Sequence, residues 1–332
     1  MKALRTHAVG GPETLTLDEI DTPTPGKGQV VVDVKACAIN FPDTLMIRDL
    51  YQFKPERPYA PGGELAGVIE AIGEGVEGYK VGDKVMAAIG NGGLVEKIVV
   101  PADRMFPVPD GVALEKAASL LLTYGTSIHG LKDRGHIKAG DTVLILGAAG
   151  GVGLSAVELA KAYGARVVAA VSTEAKGEFA RKAGADEVVI YPRDEMDKAA
   201  SKELAGAFKA ACGPEGANIV YDIVGGQYSE PALRSIAWEG KFLVVGFPAG
   251  IAKMPLNLTL LKSCDIAGVF WGAFTAREPV KFREQVAELF ALMKEGKIDP
   301  LVSETYPLAR GGEAIAKLES REAVGKLVVT MD

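Results

Sequence analysis

Asp141-Thr142 opens an apolar run, Val143-Leu144-Ile145-Leu146, that breaks into Gly147-Ala148-Ala149-Gly150-Gly151-Val152-Gly153. From Leu154 to Gly164 the pattern is helical, with Ala156, Val157, Ala160 and Lys161 at turn-length spacing. A buried strand, a glycine turn and a helix in this order can grip a pyrophosphate. The glycines let the backbone pass tightly and approach the phosphates, whose charge rests on the helix N-terminus. The run reads A-x-G-x-x-G at 148–153 rather than G-x-G-x-x-G. Its context gives it weight, because a strand precedes it, a helix follows, and a second strand, Arg166 to Val171, comes next. The stretch therefore reads as the phosphate-binding half of a dinucleotide site. The competing reading is an ordinary glycine turn in another α/β domain.

The second strand bears on which dinucleotide. In an NAD site of this kind it ends on Asp or Glu, which binds the ribose 2′-hydroxyl. Here it ends Val171-Ser172-Thr173, with no acid at its tip. An acid would repel a 2′-phosphate, so its absence permits NADP. Lys176 follows in the next turn and can pair with that phosphate, and Ser172 offers a hydroxyl donor. Glu174 argues the other way, since it lies in the same turn and can take the acid's role.

These groups need elements to hold them. The chain has 332 residues, more than one core usually serves, so two domains are expected. Residues 1–120 read as short β-branched strands, among them Val30–Val34, Leu65–Ile69 and Val95–Val100, punctuated by Gly and Pro. They predict an all-β, barrel-like unit. From about 120 strands and helices alternate, with strands expected at 142–146, 167–171, 187–190, 218–222, 241–246 and 265–270. Six strands in this rhythm predict a doubly wound parallel sheet. An amphipathic helix is expected from Val280 to Glu295, closed by Gly296, and a last strand at Lys326–Val329 that returns to the first domain. Domains are placed at 1–120, completed by about 290–332, and at 121–289.

With 37 basic and 43 acidic residues the net charge is −6, which argues against a nucleic-acid footprint. Cys37, Cys212 and Cys264 are far apart and odd in number, so no disulfide framework is implied. No signal peptide or membrane-length apolar stretch is evident, and a cytoplasmic setting is expected.

A set of further motifs, spread over the chain, resembles the medium-chain dehydrogenase/reductase superfamily in its zinc-free quinone oxidoreductase branch. They are Ala38-Ile39-Asn40-Phe41-Pro42-Asp43-Thr44, Leu50-Tyr51-Gln52, Pro61-Gly62-Gly63-Glu64-Leu65-Ala66-Gly67 and Tyr124-Gly125-Thr126. Val220-Tyr221-Asp222-Ile223-Val224-Gly225-Gly226, Val245-Gly246-Phe247-Pro248-Ala249-Gly250 and Gly268-Val269-Phe270-Trp271-Gly272 complete the set. Asp49 stands where members often carry a glycine. The resemblance implies a GroES-like β-barrel catalytic domain plus a Rossmann six-stranded parallel sheet, NADP(H) as cofactor, and a homodimer formed through the Rossmann sheet. It places cofactor contacts at Asn40, Thr126, Gly150, Gly151, Val152, Ser172, Lys176, Tyr191, Gly246, Phe247, Phe270, Trp271 and Lys326. Catalytic roles fall on Asn40, Tyr51 and Asp43.

Zinc-dependent relatives carry Cys at the Asn40 position and His at the Gly63 position, and neither Asn nor Gly replaces a thiolate or imidazole. No metal ligand is assigned. Without a Lewis acid, the acceptor must already welcome hydride, as quinones and α,β-unsaturated carbonyls do. The enzyme then contributes mainly orientation in a dry cleft.

Several of these residues have plainer readings. Asn40 can cap a turn, and Asp43 reads equally as the N-cap of the short helix after it and as an acid. Tyr51 is surface packing or a phenol that donates to enolate charge. Glu64 reads as a buried, paired structural carboxylate, His129 as a core or interface histidine, and Cys37 as a small buried hydrophobe. Trp271 and Phe270 are core or line the nicotinamide. Functionally, quinone reduction leads. The alternatives are C=C reduction in enones, enals or enoyl thioesters, and a non-catalytic NADPH- or RNA-binding crystallin-like protein.

Overall fold

The computed structural model describes residues 1–331. Two compact units are present, one formed by Met1–Leu122 with the chain from Pro300 onward, the other by Thr123–Asp299.

The second unit owes its form to its strands. Val143–Leu146 and Val167–Val171 are buried at every position, as strands covered on both faces by helices must be. Thr142–Leu146, Arg166–Val171, Glu187–Ile190, Ala217–Asp222, Ile236–Val244 and Asp265–Gly268 form one sheet. In chain order they stand third, second, first, fourth, fifth, sixth, all parallel. Leu144, Leu146, Val168, Ala170, Val220 and Phe242 pack against Leu204, Phe208 and Leu233 from the flanking helices.

The fifth strand starts earlier and ends sooner than its expected 241–246. It begins at Ile236, passes a kink at Glu239 with φ 57°, and stops at Val244. Beyond that point the N–H groups of Val245 and Gly246 turn to the Asp222 carbonyl. The sixth stops at Gly268 rather than 270. The amphipathic helix runs Pro279–Lys294, and Gly296 follows it with φ 68°.

In the first unit Gln29–Ala38 is the hub. Its first half pairs with Lys97–Pro101, its last residues with Lys326–Thr330, and its whole other edge with Glu64–Ile72. Two register shifts along the Glu64–Ile72 pairing bend the strand, as bulges do in curled sheets. Lys84–Ala88 and Met105–Pro107 extend the sheet on one side, Val302–Pro307 on the other. Val30, Val32 and Val34 share a core with Leu65, Ile69, Val85 and Val329. Helices interrupt the all-β texture expected of residues 1–120, the first of them the short helix expected beside Asp43, and another follows in the returning chain. Phe41–Met46, Leu114–Ala117 and Gly311–Glu319 are helices. Among the described residues no helix is long and apolar enough to cross a membrane.

Candidate functional site

Parallel strands put all their carboxyl ends on one edge of the sheet, and the loops there carry the ligand in folds of this topology. The strand order reverses between Thr142–Leu146 and Ala217–Asp222, which places the glycine turn at that switch point. Gly150, Gly151 and Val152 begin the helix Gly151–Ala162. Ser172 follows the second strand, Tyr191 the third, Gly246 and Phe247 the fifth, Phe270 and Trp271 the sixth. The structure thus brings these nine expected cofactor residues to one edge of the sheet. Lys176 is in the first turn of Glu174–Lys182, and Ser127, next to Thr126, donates to the Val152 carbonyl at 3.1 Å.

The glycines of the turn divide into two kinds. A Cβ on Gly150 would meet only the Gly147 carbonyl oxygen, at 3.6 Å, an ordinary contact. Space above Gly150 is therefore available to a phosphate. Gly147 has φ 71°, and a Cβ on Gly153 would lie 2.2 Å from the Gly147 oxygen. These two shape the turn itself.

At the 2′-phosphate position, Thr173 caps the helix by accepting from the Lys176 N–H at 3.2 Å. Glu174, the counter-evidence in the sequence, is exposed and bonded to Arg181 at 2.6 Å.

In the first unit Asn40, Asp43, Glu64 and Lys326 meet. Register explains it, because Glu64 pairs with Ala38 across one edge and Val328 pairs with Ala38 across the other. The Lys326 ammonium donates to the Asn40 Oδ1 at 2.5 Å, the Glu64 Oε1 at 3.0 Å and the Ile39 carbonyl at 3.1 Å. The Asn40 Nδ2 donates to the Ala38 carbonyl at 3.2 Å and to Glu64 Oε1 at 3.1 Å. Glu64 Oε2 accepts from the Leu122 N–H at 2.9 Å.

Asp43 is not the N-cap expected from the sequence. Asn40 holds that position, and Asp43 is the third helical residue, reaching back to accept the Asn40 N–H at 2.8 Å and the Gly62 N–H at 3.0 Å. Burial pushes its carboxyl up from 3.8 to about 6, against the downward pull of those N–H groups and Lys326. Tyr51 is half-buried, and burial together with the Asp43 charge raises its phenol, which stays protonated.

Two family models match the chain: Alcohol dehydrogenase GroES-like domain over residues 26–110, and Zinc-binding dehydrogenase over residues 151–294. The quinone oxidoreductase-like protein 2 homolog of Nematostella vectensis is 34% identical over 332 residues, 99% of this chain and 88% of that protein. The chain belongs to the medium-chain dehydrogenase/reductase superfamily, in its zinc-free quinone oxidoreductase branch. Solved structures of the superfamily agree. A mycobacterial protein complexed with NADPH is 34% identical with a TM-score of 0.91, over 99% of this chain and 100% of that one. Quinone oxidoreductase of Escherichia coli complexed with NADPH is 30% identical with a TM-score of 0.90, over 99% and 100%.

Within this oxidoreductase family the donor set of this chain does not suit zinc. Asn40 and Gly63 stand at ligand positions, and the nearby Cys37 is fully buried with its thiol pushed well up by burial.

Glu64 is the buried, paired carboxylate the sequence suggested. His129 stacks on Phe274 with ring centroids 4.0 Å apart and bonds Asp133 at 2.7 Å, and burial lowers its imidazole despite that carboxylate. Trp271 is buried edge-on against Phe282 and lies over Gly125, where a Cβ would sit 2.6 Å from its Nε1. Phe270 is exposed, and Tyr191 is buried beside the Tyr228 ring. Lys326, expected at the cofactor, lies in the first unit with its three N–H groups already engaged.

Sequence reasoning missed Asp222 as an organiser. Its buried carboxylate accepts from Val224 N–H at 2.9 Å, Gly225 N–H at 2.8 Å and the Ser229 hydroxyl at 2.5 Å, shaping the loop after the fourth strand. An acid followed by glycines at a strand end was the available signal.

Proposed function

We propose that this oxidoreductase reduces quinones with NADPH and without a metal. The observation that carries it is the Gly150 turn, open above its Cα at a helix N-terminus on the sheet's switch edge, with no free acid at the tip of the second strand. Solved relatives complexed with NADPH and relatives named quinone oxidoreductase support it.

NADPH, when bound, supplies a hydride. The chain's own residues do the rest. Gly151 and Val152, at the helix N-terminus, offer main-chain N–H groups to the pyrophosphate, and Gly150, whose own N–H donates to the Gly147 carbonyl, leaves room for it. Lys176 and Ser172 hold the 2′-phosphate, with Tyr191 alongside. In the second unit Thr126, Gly246, Phe247, Phe270 and Trp271 are the further cofactor residues, and in the first unit Asn40 and Tyr51 are the candidate catalytic residues. After hydride transfer a quinone needs one proton, which water can supply, so no residue need donate it.

Tyr51 favours a second reading. A half-buried phenol that stays protonated beside Asp43 can supply the proton an alkene's α-carbon needs. Asp43 is then the acid behind it.

The exposed edge of Asp265–Gly268, with Leu256, Leu260, Leu261 and Ile266 exposed around it, suits pairing with a second copy of the chain. A cytoplasmic setting fits three buried, unpaired cysteines.

NADPH and NADH oxidation measured across a panel of quinones, enones and enals tests the proposal. Turnover with NADPH and quinones is expected. Turnover confined to activated alkenes moves the assignment to the second reading, and NADPH binding without any turnover leaves a binder only.

A further inference from the structure

The strongest unexplained feature is the ion pair of Lys326 and Glu64, almost wholly sealed from water within the first unit. A buried ion pair adds little net stability over an apolar pair of equal volume, while it fixes geometry tightly. What this pair fixes is the Asn40 carboxamide. Both Nδ2 hydrogens are spent, on the Ala38 carbonyl and on Glu64 Oε1. Its oxygen faces the Lys326 ammonium. A flipped amide would set its NH2 against the ammonium and its oxygen against the carboxylate, two repulsions at once. The main chain is pinned as well, since the Asn40 N–H donates to Asp43.

We infer that Lys326 and Glu64 are positioning residues that lock the Asn40 carboxamide so that its oxygen, and not its NH2, is the group turned to a ligand. Asn40 then recognises a ligand only as a hydrogen-bond acceptor, and the group it meets is an N–H or O–H donor. It cannot stabilise an oxyanion. Lys326 cannot serve as a cofactor phosphate ligand in this arrangement, because its three N–H groups point at protein oxygens. The inference deepens the proposed function and rests on that reading for the identity of the ligands.

A double-mutant cycle tests it. Lys326→Met with Glu64→Gln removes both charges at nearly constant volume, so no lone buried charge remains. It is made in the wild type and in an Asn40→Ala background, with near-UV circular dichroism to establish folding. Losing an oriented hydrogen bond is expected to lower kcat/KM on the order of ten- to a hundredfold. In the Asn40→Ala background the same change should cost less than about threefold, because the residue it positions is already gone. Lys326→Arg runs in parallel. It keeps the charge and the fold but cannot aim one ammonium at three oxygens, and it should show the same pattern at smaller amplitude.

NADPH affinity, read by its fluorescence, separates the two sources of the donor. A loss there places the donor on the cofactor. An altered acceptor KM and kcat at unchanged NADPH affinity places it on the acceptor. Equal losses in both backgrounds, or no loss in either, overturn the positioning role. A wild type that oxidises NADPH with none of the quinones, enones or enals overturns the proposed function instead, and the cycle is then read on NADPH affinity.

Discussion

Asp43 is a carboxylate whose surroundings fight each other. Burial favours its neutral form, while two main-chain N–H groups and Lys326 favour the charged one, and burial prevails to leave it near 6. Its folded value is raised above the unfolded one, so it contributes stability that is full below about pH 4 and lost as pH rises through 6. The shift from 3.8 to about 6 corresponds to on the order of 3 kcal/mol. In denaturant titrations from pH 4 to pH 8, the wild type should lose stability relative to Asp43→Asn by an amount of that order. A difference between the two that does not change with pH would remove this titration from Asp43.

Lys176 is the second residue whose charge decides something. A hydrogen bond to a charged group contributes roughly 1.5–3 kcal/mol, so Lys176→Ala should cut the preference for NADPH over NADH on the order of ten- to a hundredfold. Solvent exposure draws the loss toward the lower end. Steady-state kcat/KM for both cofactors measures it, and a variant that loses both equally would place Lys176 elsewhere.

At the scale of the element, the glycine turn separates binding from folding. Gly150 has φ −77°, which any residue adopts, and little protein around it. Gly150→Val should therefore stay within about 0.5 kcal/mol of wild-type stability while abolishing NADPH binding. Gly153 is enclosed by the Gly147 carbonyl and the Ala148 main chain, so Gly153→Val should cost about 1–3 kcal/mol through overpacking. Thermal unfolding and cofactor titration of both variants read the two effects separately. Full NADPH affinity in a folded Gly150→Val protein would take the pyrophosphate away from this turn.

For the whole molecule, the open edge of the Rossmann sheet and its apolar surroundings set the assembly prediction. Sedimentation should give twice the 34.8 kDa chain mass. Leu260→Glu with Ile266→Lys places charge on both sides of the edge and should yield a folded monomer. A wild type that sediments as a monomer at micromolar concentration would end that reading.

The Rossmann unit was legible residue by residue, because its strands are contiguous apolar runs and its turns announce themselves by glycine. Hydrophobic period and turn chemistry are local, so the sequence by itself determined the six strands, the glycine turn and the missing acid after Val171. It misjudged the ends of the fifth and sixth strands, where a kink at Glu239 and the Asp222 carbonyl redirect the ladder. The first unit was read more coarsely, as β-branched segments without a pairing scheme. Only the tertiary structure decided that Asn40, Glu64 and Lys326, up to 286 residues apart, share one set of hydrogen bonds. It also moved Asp43 from cap to buried acid and turned Lys326 inward. The physical reason is that a polar side chain's partners depend on strand register. Register is settled by the packing of the whole sheet, and no local stretch of residues records it.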